Sequence, residues 1–335
     1  MKRRQIVRQL MTTPAVLAYW PAWSAPAPKP AGFPVRPLRI VVPFPPGGAA
    51  DILARPLAQQ LSQRIGQPVL IDNKPGANTV IGANHVATSA ADGYTLLMGS
   101  EAGLSLAAEL SHITKIEVPY RVERDFAPIS LLGHYGSLMT INPEVPARNL
   151  QEYIEYARKN PKKINFASFG LGSQPHIMME TLNQMAGIDT VHLPYKGVAP
   201  ATNDLIAGHV QAMISAPSTP LPHVRDQKLR GLAYSGAKRL PELPNVPTFA
   251  EAGLPTFNPR GWFGLVMASA TPEPIRAWLS ENIWAVVQSS EYQINTILKN
   301  GYEIPSTEPS VMAEFMQEDR HYWKRMVDLI RHRLV

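Results

Sequence analysis

The sequence holds no cysteine among its 335 residues. That excludes disulfides, thiolate metal sites, a cysteine nucleophile and a lipid-modified N-terminal cysteine. No apolar run reaches the roughly eighteen residues that a membrane-spanning helix needs. Nowhere do five or more lysines and arginines follow one another, and no basic stripe is interleaved with aromatics, so the usual footprint of a nucleic-acid binder is missing. The nine histidines are scattered, with no H-x-x-H or H-E-x-x-H pair, and no zinc-protease signature results. No metal and no cofactor is expected.

What is present reads as an ordinary globular chain, 45% hydrophobic and 17% charged, long enough for about two domains. The first residues stand apart. "MKRRQIVRQL" carries Lys2, Arg3, Arg4 and Arg8 without an acid, "MTTPAVLAYW" is moderately apolar, and "PAWSA" offers small residues. That order is a secretory signal peptide over residues 1–24, with cleavage after Ser24. Arg3-Arg4 weakly resembles a twin-arginine signal, and the export route stays open between that and the general one. Loss of the leader's four bases takes the formal charge from +6 to +2, too mild an excess to argue for a polyanionic partner. Residues 25–37 are proline-rich and are expected to be an extended, mobile lead-in.

Beyond Arg36 strand-like and helix-like patterns alternate, which predicts an α/β fold with largely parallel sheets flanked by helices. "LRIVVPF" reads as a buried strand, and "ADILARPLAQQLSQRIG" puts Ile52, Leu53, Leu57, Leu61 and Ile65 on one helical face ending at Gly66. Similar units follow to "VQAMIS" and "LRGLAYSG", then "WFGLVMA", a helix over "PEPIRAWLSENIWAVVQ" and the closing "SVMAEFMQEDRHYWKRMVDLI".

Ligands of parallel sheets sit where strands end and helices begin, because the free N–H groups and dipole of a helix start favour negative charge. "PFPPGGAAD" fits that role: Pro45 and Pro46 stiffen the turn, and Gly47 and Gly48 are expected to allow positive φ and close approach. Asp51 either complements the helix dipole or reaches a ligand. "FASFGLGSQPH" brings Ser168, Gly170, Gly172 and Ser173 to a helix start with Ser173 or Gln174 as cap. "PYKGVAP" places Tyr195, Lys196 and Gly197 between strand and helix, and "LMGS" ends a strand on Ser100. Helix starts, glycines and hydroxyls with few charges describe a site for a small anion. Lys196 is the single cation of these loops, suited to a second carboxylate or to solvent.

The stretch from "PLRIVVPFPPGGAADILARPLAQQLSQRIGQPVLIDNKPGANTVIGANHVATSAADGYTLLMGS" through "RDFAPIS", "HLPYKGVAPATNDLIAGHV", "GWFGLVM" and "LPNVPTFAEAGLP" resembles the Bug-type substrate-binding receptors of tripartite tricarboxylate transporters. The resemblance implies a two-lobed periplasmic binding protein fold, type II-like, with residues 38–140 and 262–335 in one lobe and 141–261 in the other. It implies a monomeric periplasmic receptor, not an enzyme, that closes on a small organic carboxylate and delivers it to membrane transporter subunits. The implied ligand-binding residues are Phe44, Gly47, Gly48, Ala49, Asp51, Ser100, Ser168, Gly170, Gly172, Ser173, Gln174, Tyr195, Gly197 and Ser215. Two features differ from relatives: Glu101 is an acid beside the anion site, and Ser215-Ala216 stand where an acidic or amide residue is common.

Two other readings remain. A receptor presenting its ligand to a sensor kinase needs the same clamshell. An exported hydrolase-like enzyme would use Ser173 with His176 as base, although "GLGSQP" lacks the second glycine of a nucleophile elbow.

Overall fold

A computed structural model describes residues 27–305 and 311–334. The expected leader and its cleavage point after Ser24 lie outside the described residues.

Two five-stranded sheets organise the chain. The first contains β1 (Leu38–Val42), β2 (Val69–Asn73), β3 (Thr95–Ser100), β4 (Phe126–Gly136) and the late strand β10 (Arg260–Ala268). Their order is β2-β1-β3-β10-β4. The second contains β5 (Leu138–Ile141), β6 (Asn165–Ser168), β7 (Val191–Pro194), β8 (Ala212–Ser215) and β9 (Arg230–Tyr234), in the order β7-β6-β8-β5-β9. In each sheet four strands run one way and the fourth in order runs against them: β10 is antiparallel to β3 and β4, and β5 to β8 and β9. Both odd strands arrive from the other lobe, so they enter their sheet from the opposite end. β4 leads into β5 through Ser137 alone, and the chain returns into β10.

Helices cover both faces of each sheet. The first sheet carries α1 (Ala49–Ile65), α2 (Val80–Ala87) and the single turn α4 (Val122–Asp125), while α3 (Ala107–Thr114) puts Ala107 in a core of the first sheet and Leu110 in the core of the second. The second carries α5 (Leu150–Lys159), α6 (Gln174–Ala186), α7 (Val198–Ala207) and α8 (Pro220–Arg225). After β10 come α9 (Glu273–Val287), the short α10 (Ser290–Tyr292) and α11 (Met312–Ile330). Leu53, Leu57, Leu61 and Ile65 pack with Trp278, Leu279 and Ile283 of α9 over one face of the first sheet, as the spacing of the α1 leucines requires. α11 is shared. Met312 and Met316 lie in the other core of the first sheet, whereas Trp323, Val327 and Ile330 are buried in the core of the second. Residues 262–335, expected as a block with the first lobe, therefore divide along this helix.

The proline-rich lead-in is not mobile throughout. Phe33 is 4% exposed and sits edge-on to Tyr94 and Trp278, with ring centroids 4.8 and 5.9 Å away. An aromatic ring that buries this much apolar surface anchors the chain at Phe33 to the first lobe. β4 and β5 are the other elements that the sequence patterns did not mark as strands.

Candidate functional site

A cavity of about 640 Å³ lies between the sheets. Three helix starts from both lobes face it. Gly48, Ala49 and Ala50 come from the start of α1, Ser173, Gln174 and Pro175 from α6, and Gly197, Val198 and Ala199 from α7. The first N–H groups of a helix have no intrahelical acceptor, so each start turns donors and a positive dipole end toward this space. The walls are largely apolar: Phe44 and Phe263 meet edge-on at 6.0 Å, and Phe263 stacks on Tyr135 at 5.7 Å. Lys196 is the one basic side chain on the lining.

The lobes touch across the mouth. Asn78 Nδ2 donates to the Gly172 carbonyl at 3.2 Å, and a Cβ built on Gly197 would lie 3.6 Å from Pro45.

The residues named from sequence fall into two layers. Phe44, Gly48, Ala49, Ser173, Gln174, Tyr195, Gly197 and Ser215 line the cavity, as does Lys196. Gly47, Asp51, Ser100, Ser168, Gly170 and Gly172 do not; they lie behind it and shape the loops. Gly47 takes φ +81, the positive region expected of it, but Gly48 has φ −84 and needs no glycine on backbone grounds. A Cβ on Gly48 would meet Pro45 O and Val198 Cγ1 at 3.7 Å, so its smallness matters only for what approaches across the cleft.

Asp51 turns inward. Its carboxylate accepts from Gly47 N–H at 3.0 Å, from Arg55 Nε at 2.7 Å and Nη2 at 3.0 Å, and from Asn73 Nδ2 at 3.1 Å. Burial opposes its charge, and these donors overcome that to hold its pKa below the ordinary value. Asp51→Asn keeps one carbonyl acceptor for Gly47, and Arg55 is too exposed to add much. It should cost about 1–2 kcal/mol in urea unfolding. Loss of ligand binding at unchanged stability would instead place Asp51 on the ligand.

The second-lobe loop is also tied to itself. Ser173 is the N-cap residue of α6, as expected, but its Oγ makes no capping bond: it donates to the Gly170 carbonyl at 2.7 Å and accepts from Phe169 N–H at 3.2 Å. Gly172 N–H donates to His176 Nδ1 at 3.1 Å. His176 stacks on His192 at 3.9 Å, and Ser168 Oγ pairs with His192 Nε2. Burial, and for His176 the neighbouring imidazole, push the two pKa values down to about 3 and about 4. Both rings are neutral struts. The pairing of Ser173 with His176 that a hydrolase-like reading would need is not among these contacts: Ser173 Oγ bonds Gly170 and His176 Nδ1 accepts from Gly172. Tyr195 faces the cavity, but its hydroxyl donates to Asp204 Oδ2 at 2.8 Å. Ser100 Oγ is buried with no hydrogen-bond partner among the described residues.

Sequence reasoning did not nominate Pro75 to Thr79, Tyr135, Phe169 or Phe263 as site residues, and all of them line the cavity. "NKPGANTV" carries the same proline-glycine, strand-to-helix signal as the loops that were chosen. The two aromatics from β4 and β10 had no such local mark.

A family model described as tripartite tricarboxylate transporter family receptor matches residues 53–331. The chain belongs to that family. Among its relatives is BugT of Bordetella pertussis, 36% identical over 295 residues, 88% of this chain and 89% of that protein. Among solved structures, Rpa4515 of R. palustris with adipate superposes with a TM-score of 0.83 at 30% identity, covering 89% of this chain and 98% of the other. MatC of Rhodopseudomonas palustris with bound malate gives 0.81 at 32% identity, covering 88% and 100%. The fold is therefore the two-lobed one of periplasmic binding proteins, as the Bug-type resemblance implied.

Proposed function

We propose that this chain is a periplasmic solute receptor that captures a small carboxylate by hinge closure and hands it to the membrane subunits of a tripartite tricarboxylate-type transporter. The observation that carries the reading is the convergence of three helix starts from two lobes on one apolar-walled cavity with a single lysine. Such a cavity supplies amide donors and dipoles to an anion and offers no Lys-Ser/Thr phosphate loop. Adipate and malate in the superposable relatives support the same ligand class. The basic, apolar and small-residue order of residues 1–24 supports export before capture.

A ligand that binds only the folded chain adds RT ln(1 + [L]/Kd), about 4 kcal/mol at a thousandfold excess over Kd. The expected result of a thermal-shift panel is a rise of roughly 5 °C or more for one class of carboxylate and none for its amide analogue. If sugars or phosphates alone shift the protein, the carboxylate reading is wrong. Deletion of the gene should abolish uptake of the same acid; loss of a transcriptional response with uptake intact would identify a signalling receptor.

A further inference from the structure

Glu101 follows the last residue of β3, lines the cavity, and is only 3% exposed. Trp262 N–H donates to its Oε2 at 3.1 Å. Its Oε1 lies 3.5 Å from Tyr135 Oη, which is also 3.5 Å from Gln174 Oε1, and Gln174 Nε2 reaches the Arg260 carbonyl at 3.4 Å. The acid thus heads a polar chain from the first lobe to the start of α6 in the second. No cation is among the groups that act on it. A buried carboxylate without a cation is costly to keep charged, and in a cavity for anions it would repel the cargo.

We propose that Glu101 selects the far end of the ligand: in its neutral form it donates a hydrogen bond to a second carboxylate, so the receptor takes dicarboxylates together with one proton from solvent. This rests on the carboxylate reading of the cavity. Burial and Asp319 favour the neutral acid and outweigh the Trp262 N–H and the Tyr135 hydroxyl, which favour the anion. Asp319 of α11 repels its charge, Tyr135 of β4 and Tyr302 are themselves held neutral by burial, and β10 contributes one amide N–H. Burial first, and Asp319 second, raise its pKa to about 8. Without ligand, the Tyr135 hydroxyl is shared between Glu101 Oε1 and Gln174 Oε1, each at 3.5 Å. A dicarboxylate oxygen takes the Glu101 proton in a charge-assisted bond, while the helix starts and Lys196 hold the first carboxylate. The anion in turn makes ionisation of Glu101 harder, which couples binding to proton uptake.

Three acids of one chain length separate the alternatives: adipate, hexanoate with a methyl end, and ε-aminohexanoate with an ammonium end. Titration calorimetry from pH 6 to 9, in two buffers of different ionisation enthalpy, reads affinity and protons together. Adipate is expected to bind tightest, to weaken toward tenfold per pH unit above about 8, and to take up close to one proton at pH 9 and none at pH 6. Glu101→Gln, whose amide still donates, should keep adipate within about threefold at pH 6 and lose the pH dependence. Adipate binding that is flat with pH overturns the inference and leaves the receptor reading standing. So does ε-aminohexanoate binding tightest, with affinity rising with pH, because Glu101 would then serve as an anion. If hexanoate binds as tightly as adipate, the inference falls and the receptor reading stands; if no carboxylate of any class binds at any pH, both fall.

Discussion

Trp262→Ala should lower the unfolding free energy by about 3–5 kcal/mol, the range for emptying a buried aromatic site. The indole is fully buried, edge-on to Phe315 at 5.7 Å, in the cluster that also holds Val41, Leu97, Leu131 and Met312. Its Nε1 donates to Asp319 Oδ2 at 2.8 Å and its backbone N–H to Glu101. The ring therefore holds Asp319, and the backbone of the same residue holds Glu101, where the chain re-enters the first lobe. Asp319 also accepts from Ser105 Oγ at 2.5 Å. Truncation removes packing and also leaves a buried acceptor with one donor in place of two, and the two costs add in the same direction. Trp262→Phe separates them. It keeps most of the volume and loses only the Nε1 donor, so about 1–3 kcal/mol is expected. Urea midpoints at constant slope give both numbers. A loss below about 1 kcal/mol for the alanine variant would show that the cluster collapses freely and that Trp262 does not pin the junction.

The strand and helix patterns made the α/β class and most elements legible because each unit carries its own period and its own breakers; the two lobes came from the family resemblance. β4 and β5 escaped because they are buried along nearly their whole length and join through one residue, so neither alternation nor a turn signal marks them. The closing helix α11 read clearly as a helix. Its division between two cores is a property of tertiary packing, and a hydrophobic stripe does not say which sheet it faces. In the site, the glycine-rich turns announced the convergent helix starts, and the chosen loops do reach one cavity. What local grammar could not separate was a residue that faces the ligand from one that holds the loop. Asp51 and Ser168 have the same chemistry as binding residues, and only the donors around Asp51 and the His192 ring beside Ser168 show that they face inward. Glu101 stood out in sequence as an acid where an anion is expected. Its partners come from β4, α6, β10 and α11, so its neutral character depends on contacts that no single segment encodes.

Between pH 6.5 and 8 the stability of the wild type should fall by on the order of 2 kcal/mol relative to that of Glu101→Gln. The sign follows from where each proton is held. Glu101 keeps its proton in the folded chain until about pH 8, whereas the unfolded chain releases it near the ordinary value of 4.5. Across that interval the unfolded state binds fewer protons, so stability declines with rising pH and levels off once both states are ionised. Asp319, raised from 3.8 to about 6 by burial, acts with the same sign at lower pH. His176 and His192, depressed from 6.5 to about 3 and about 4, act oppositely, because the unfolded chain gains protons that the buried rings refuse. Below pH 6.5 the acids and the imidazoles offset one another. Above it the unfolded histidines still shed their remaining protons and Asp319 its last fraction, but both proteins share these contributions, so the difference between the two profiles isolates Glu101. Equilibrium urea unfolding at half-unit pH steps makes the comparison. Glu101→Gln should be more stable than the wild type at pH 8, and the gap should narrow steadily toward pH 5. Parallel pH profiles for the two proteins would mean that Glu101 is already ionised in the folded chain, with its charge met by water in the cavity.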